Sequence, residues 1–234
     1  LSDIDVDGQQ ALLDAHVMII GYGGLGSPAA LYLAAAGVGK LSLVDDDHIE
    51  ISNLQRQIAH QQAAVGRSKV ESAATSCQQL NADVVVEVYP FRATNEWLNY
   101  HLSGVSLVVD CSDNAAVRYA INARCVAHAI PWVSGAAIGF SGQVAVFDPR
   151  DSLSPCYGCL YPNLNDQQLS CVEAGVLSPL VGVIGSMQAL EALRLISPFG
   201  SPQAGWLATY DAKAGQWQRW QLSKRSNCPH CNPV

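Results

Sequence analysis

Positive charge is scarce in this sequence. Thirteen Lys and Arg stand against 20 Asp and Glu, leaving a net charge of −7. A nucleic-acid-binding face needs dense basic residues to neutralise phosphates, so nucleic acid is excluded as the main partner, though a local cationic pocket is not. An uninterrupted membrane-length run is also lacking. Residues from His16 to Gly39 and from Ala174 to Leu190 carry no charge, but the first stretch is broken by Gly21, Gly23, Gly24, Gly26 and Pro28. The second is only 17 residues long and contains Pro179, Gly182 and Gly185. Both read as buried core rather than as membrane spans. No secretory leader is expected, and eight cysteines in a chain too large for a secreted disulfide scaffold point to a reducing, cytoplasmic setting. The first residue is Leu1 rather than methionine, and an N-terminal piece is expected to precede it.

What the chain does have is apolar mass, 49% of its residues, with periods that switch between strand and helix. Val17–Ile20 is a short apolar run before a glycine cluster: a buried strand. Leu25–Ala36 follows as a helix of small residues, and Leu41–Val44 as a second strand ending at Asp45. The pattern then predicts a helix at Arg67–Leu80, a strand at Val84–Val88, a helix at Asn95–Leu102 and a strand at Leu107–Val109. A helix at Ala115–Ala129, with Arg118 and Arg124 on its polar side, leads to a strand at Pro131–Ala137. Strands alternating with helices imply a Rossmann-like, doubly wound, mainly parallel sheet. Beyond Gly139 the pattern changes to a strand at Gln143–Phe147, a long buried helix at Gly175–Ile196, and a hairpin of Trp206–Tyr210 and Trp217–Leu222. These extend the sheet with antiparallel strands. The whole chain, 1–234, reads as one domain, with a nucleotide-binding half to about 138 and a second half from 139 on.

The glycine cluster lies between strand and helix, where residues without Cβ let backbone N–H groups approach a phosphate at the positive end of the helix dipole. Asp45, at the end of the second strand, is placed to accept ribose hydroxyls. Those features suit NAD, FAD or ATP equally. Arg56 and Lys69 shift the balance, because a triphosphate needs cationic clamps and a metal as well as a helix end. Asp110 and Asp113, in "DCSDN", close the fourth strand where ligands bind. Either carboxylate suits Mg²⁺, and Asp113 is better placed beyond the strand. An NAD-dependent oxidoreductase, the competing reading, leaves Arg56 and Lys69 without a role.

Eight cysteines divide into two groups. Cys156 with Cys159 and Cys228 with Cys231 form two C-x-x-C pairs, whose thiolates suit a tetrahedral Zn²⁺ clip between distant chain segments. Four thiolates leave no open position, so the role expected is structural. Cys77, Cys111 and Cys125 read as core. Cys171 follows a polar loop and is a candidate nucleophile for sulfur transfer. His60, like the other histidines, shows no ligand or triad spacing.

The segments "GYGGLGSPAALYLAAAGVG", "SNLQRQ", "VGRSKVESA", "DCSDN", "SGAAIGFSGQ", "CYGC", "CVEAGVLSPLVGVIGSMQALEA" and "CPHC" occur in an order that resembles the bacterial ubiquitin-activating-enzyme-like adenylyltransferases, over nearly the whole chain. "VGRSKVESA" and "CVEAGV" look more like the molybdopterin branch, and "DGQQALLD" somewhat like the thiamine branch. The resemblance implies a cytoplasmic homodimer that uses ATP and Mg²⁺ to adenylate the C-terminal glycine carboxylate of a small ubiquitin-like sulfur carrier, for molybdopterin or alternatively thiamine biosynthesis. A separate sulfur donor, such as a cysteine desulfurase or rhodanese, would follow. Carried onto this chain, Gly24 lies under the phosphates and Asp45 takes the ribose. Asn53, Arg56 and Lys69 hold the phosphates, with Gln57 and Asn114 beside them, and Asp113 takes the metal. The four paired cysteines take zinc, and Cys171 corresponds to a cysteine that joins the carrier covalently in the thiamine branch. Such enzymes usually begin with an R-Y-x-R-Q segment, and this chain starts just after where that segment would end.

Overall fold

A computed structural model describes residues 1–163, 175–197, 199–200 and 204–232. Its strands form one sheet in the order β3-β2-β1-β4-β5-β6-β7-β8. The first five, β1 (His16–Ile20), β2 (Lys40–Val44), β3 (Val85–Tyr89), β4 (Leu107–Asp110) and β5 (Trp132–Ile138), run parallel. The last three, β6 (Ser141–Phe147), β7 (Trp206–Asp211) and β8 (Gln216–Gln221), continue the sheet antiparallel. This is the doubly wound sheet with an antiparallel extension that the periodicity implied.

A parallel strand covered on both faces must be apolar at every position. Along β1, Val17 and Ile19 enter one core while Met18 and Ile20 enter the other. The first core is closed by α2 (Gly26–Ala35), α3 (Lys69–Leu80) and the long C-terminal α7 (Ser178–Ile196). The second is closed by α4 (Asn95–His101), α5 (Ala115–His128) and the single turn α6 (Tyr157–Leu160). By length and composition α7 is apolar enough to cross a membrane. Here it packs against α2 and the sheet, and at Gly185 a Cβ would come within 2.3 Å of the Leu25 carbonyl oxygen.

Two elements depart from the sequence-based reading. Residues Asp5–Asp14 form α1, whose pattern is faint because only Gly8 and Leu12 are buried along it. Arg118 is not on a polar face of α5. It is 2% exposed, because its guanidinium meets Asp110 from the neighbouring strand rather than water.

The order of strands reverses between β1 and β4, which opens a crevice at their carboxyl ends, the usual ligand position in such sheets. Gly21 makes this crevice. Its φ of +87° is open only to glycine, and a Cβ there would lie 2.7 Å from the Cys111 carbonyl oxygen.

Candidate nucleotide site and cysteine cluster

A cavity of about 1300 Å³ fills the crevice, and Gly24, Asp45, Arg56, Lys69, Asp113 and Arg118 all reach its wall. The Asp45 carboxylate is fixed by two backbone donors, Tyr22 N–H at 2.5 Å and Asp47 N–H at 2.8 Å. Burial lifts its pKa above the ordinary carboxylate value, outweighing the opposing pull of Lys69 and those two donors. A carboxylate has about four acceptor positions, so Asp45 retains capacity for ribose hydroxyls. Gly24 lines the cavity with its backbone, and its missing Cβ has a packing reason too: a methyl there would sit 2.8 Å from Val181 Cγ2 on α7.

Lys69 opens α3 and is 5% exposed. Its ammonium pairs with Asp47 Oδ2 at 2.6 Å, a partner that the sequence reading passed over among three consecutive aspartates. Arg56 is half-buried, and its Nη1 donates to the Ser52 carbonyl at 3.2 Å. Asn53 is buried, and its Oδ1 accepts from Glu50 N–H at 3.1 Å as half of a reciprocal cap on the 3-10 turn 51–53. Its visible job is thus to shape the loop that presents Arg56. Gln57 is also buried at the cavity wall, and its Oε1 has no hydrogen-bond partner among the described residues. Asn114 caps α5, its Oδ1 accepting from Val117 N–H at 3.0 Å, which leaves Asp113 at the cavity immediately before the helix.

The two aspartates of "DCSDN" separate cleanly. Asp110 is fully buried, with Oδ1 accepting from Ser112 and Oδ2 from Ser134 Oγ at 2.9 Å. Of the pair, Asp113 is the one that faces the cavity.

Beneath the site lies His60, with Nδ1 3.0 Å from Ser72 Oγ and its ring 5.8 Å from that of Tyr22. Burial first, and then the charge of Lys69, bring its pKa from 6.5 to about 4. Between those values the unfolded chain takes up a proton that the folded chain refuses. Stability contributed by neutral His60 is therefore complete above pH 6.5 and falls as pH drops toward 4. Urea unfolding at pH 7.5 and 4.5 should show a smaller loss for His60→Asn than for the unaltered protein. Other titrating groups, Asp45 included, are common to both proteins and cancel in that comparison.

The two C-x-x-C pairs converge. Sulfur separations are 3.9 Å for Cys156–Cys159, 3.6 Å for Cys156–Cys228 and 3.5 Å for Cys159–Cys231. Four thiolates at the zinc–sulfur bond length around a tetrahedron stand about 3.8 Å apart, so the donor set fits Zn²⁺. The Arg225 N–H points at Cys159 Sγ at 3.4 Å, a donor that favours thiolate. Cys77, Cys111 and Cys125 are buried, as expected of core residues, and burial raises each thiol's pKa. Cys171 lies outside the described residues.

A doubly wound α/β protein with a large cavity at the strand switch point and a four-cysteine cluster that could hold a metal ion is the class that this fold defines. The ThiF family model matches residues 1–230, and the chain belongs to that family. It is 44% identical to the molybdopterin-synthase adenylyltransferase of Salmonella typhimurium over 99% of this chain and 92% of that protein. It is 46% identical to the sulfur carrier protein ThiS adenylyltransferase of Escherichia coli, over 99% of this chain and 91% of that one. A solved structure of Escherichia coli MccB with ATP superposes with a TM-score of 0.82 at 20% identity, covering 95% of this chain and 68% of that one. At that identity the likeness is one of fold.

Proposed function

We propose that this chain is an ATP-dependent adenylyltransferase acting on the C-terminal glycine carboxylate of a small ubiquitin-like sulfur carrier. The observation that carries the reading is the meeting of the glycine turn, Asp45, Arg56, Lys69 and Asp113 around one cavity at the strand switch point, in a chain of the ThiF family.

The carrier carboxylate oxygen attacks the α-phosphorus. The bond from that phosphorus to the bridging oxygen breaks, and pyrophosphate leaves with the electron pair. The product is a carboxylic–phosphoric mixed anhydride. Negative charge grows on the leaving oxygens, and Lys69 and Arg56, both at the cavity wall, are cations placed to disperse it. The Gly21–Gly26 turn and the start of α2 supply N–H groups and the positive helix end for the phosphates. Asp113 supplies one hard oxygen ligand, and a carboxylate plus substrate phosphates is the donor set that Mg²⁺ ordinarily takes. Bound there, Mg²⁺ would neutralise phosphate charge. The four-cysteine clip, holding Zn²⁺, has a structural role. The same reading includes a homodimer and a separate sulfur donor.

The carrier in this proposal is that of molybdopterin synthesis. The 46% identity to a ThiS adenylyltransferase supports the thiamine carrier as a second reading. Purified protein mixed with ATP, Mg²⁺ and each carrier in turn separates them: carrier-dependent exchange of labelled pyrophosphate into ATP is expected with the molybdopterin carrier. Exchange with the thiamine carrier alone would move the assignment to the second reading, and exchange with neither would remove the activity.

A further inference from the structure

The loop that carries Asp113 is held from below by charged groups that take no part in the proposed chemistry. Arg118 Nη2 donates to the Ser112 carbonyl at 2.5 Å and to the Gly135 carbonyl on β5 at 3.0 Å. Its Nε lies 3.6 Å from Asp110 Oδ2. Asp110 in turn accepts from the Ser112 amide at 3.0 Å and the Ser112 hydroxyl at 2.6 Å. Ser112 is thereby gripped at N–H, hydroxyl and carbonyl by two residues that are 2% and 0% exposed. Asp113 is the next residue, and Asn114 caps α5 directly after it.

Burying two ionised side chains is costly and is often no more stabilising than an apolar pair of the same volume. What such a pair provides is direction, and here three of its bonds converge on Ser112 at the cavity edge while the others tie it to β5. A guanidinium suits this task because Nη2 alone serves both carbonyls while Nε of the same rigid plane lies toward Asp110.

We propose that Arg118 is a positioning residue for Asp113: by clamping the Ser112 carbonyl between β4 and β5, it sets where the Asp113 carboxylate meets the metal–nucleotide complex. This rests on the reading of Asp113 as the Mg²⁺ ligand given above. Partners that orient a metal-binding group typically account for about 10–100-fold in metal affinity or activity.

The test is the Mg²⁺ dependence of carrier-dependent pyrophosphate exchange. Arg118→Lys retains a charge opposite Asp110 but has one nitrogen where Arg118 uses Nη2 for the two carbonyls and Nε toward Asp110. Asp110→Asn/Arg118→Gln removes both charges and leaves no buried ion unpaired, so one variant is available if the other folds poorly. Folding is read from the thermal midpoint and circular dichroism. In each folded variant the Mg²⁺ concentration for half-maximal exchange should rise by about tenfold or more. The KM for ATP at saturating Mg²⁺ should change far less. A purely structural role would lower the thermal midpoint and the active fraction but leave the Mg²⁺ midpoint in place. Asp113→Asn is measured alongside. If it raises the Mg²⁺ midpoint while the folded Arg118 variants match the unaltered protein, the positioning role is overturned and the assignment of Asp113 stands. If Asp113→Asn leaves the midpoint unchanged, the assignment of Asp113 falls, and this inference with it.

Discussion

Lys69→Ala is expected to lower carrier-dependent pyrophosphate exchange by about 10²–10³-fold, the loss seen when one preorganised transition-state donor is removed. The reason lies in the surroundings of the ammonium. It is 93% buried as a side chain and points to the wall of the nucleotide cavity, where it is poorly screened. Its partner Asp47 is 63% exposed and is solvated by water once Lys69 is gone, while the half-buried Asp45 loses the opposing pull of the ammonium. The exposed Asp47 partner should contribute only about 1 kcal/mol of the stability lost. Activity and stability consequently part company in this variant. Its thermal midpoint should stay near that of the unaltered protein while kcat/KM falls. Exchange at a near-normal rate would remove Lys69 from the chemistry and leave it as a loop anchor for Asp47.

Loss of the cysteine clip should act in the opposite sense, on folding rather than on chemistry. The clip ties the segment after β6 to the C-terminal segment, and 68 residues separate the two pairs in sequence. Tyr157, inside the first pair, packs its ring 5.7 Å from Trp132 and 6.0 Å from Phe147, so the clip also anchors the floor of the second core. Structural zinc sites contribute on the order of 10 kcal/mol of apparent binding energy that is also folding energy. That is comparable with the whole stability of a domain, about 5–15 kcal/mol. The expected results are one Zn²⁺ per chain by metal analysis and a large drop in thermal midpoint and soluble yield for Cys228→Ser. The fraction that folds should keep its turnover. Metal-free protein with an unchanged midpoint would refute the assignment, as would a disulfide within each pair.

By itself the sequence determined the parts whose signal is local. The run "VMII" before four glycines can hardly be anything but a buried parallel strand entering a tight turn, because each feature needs only its own neighbours to be read. The two C-x-x-C pairs likewise declare their chemistry through spacing, since paired thiols on one turn already form half of a tetrahedral site. The choice of ATP over NAD also rested on local residues, Arg56 and Lys69, with the resemblance adding the carrier.

Tertiary structure alone decided which like residues do different work. Strand-end position singles out Asp45 from Asp46 and Asp47, yet only the folded loop gives Asp45 the backbone donors of Tyr22 and Asp47, and gives Asp47 the ammonium of Lys69. The resemblance gives Asn53 a phosphate contact, and the fold adds a second role that the sequence does not declare, the cap on residues 51–53, while Asn53 also lines the cavity. Arg118 shows the limit most clearly. Helical periodicity assigns a cation to the solvent face because burying a lone charge is prohibitive. The exception needs a counter-charge and carbonyls supplied by other segments, and Asp110, Ser112 and Gly135 reach Arg118 only when β4 and β5 lie side by side.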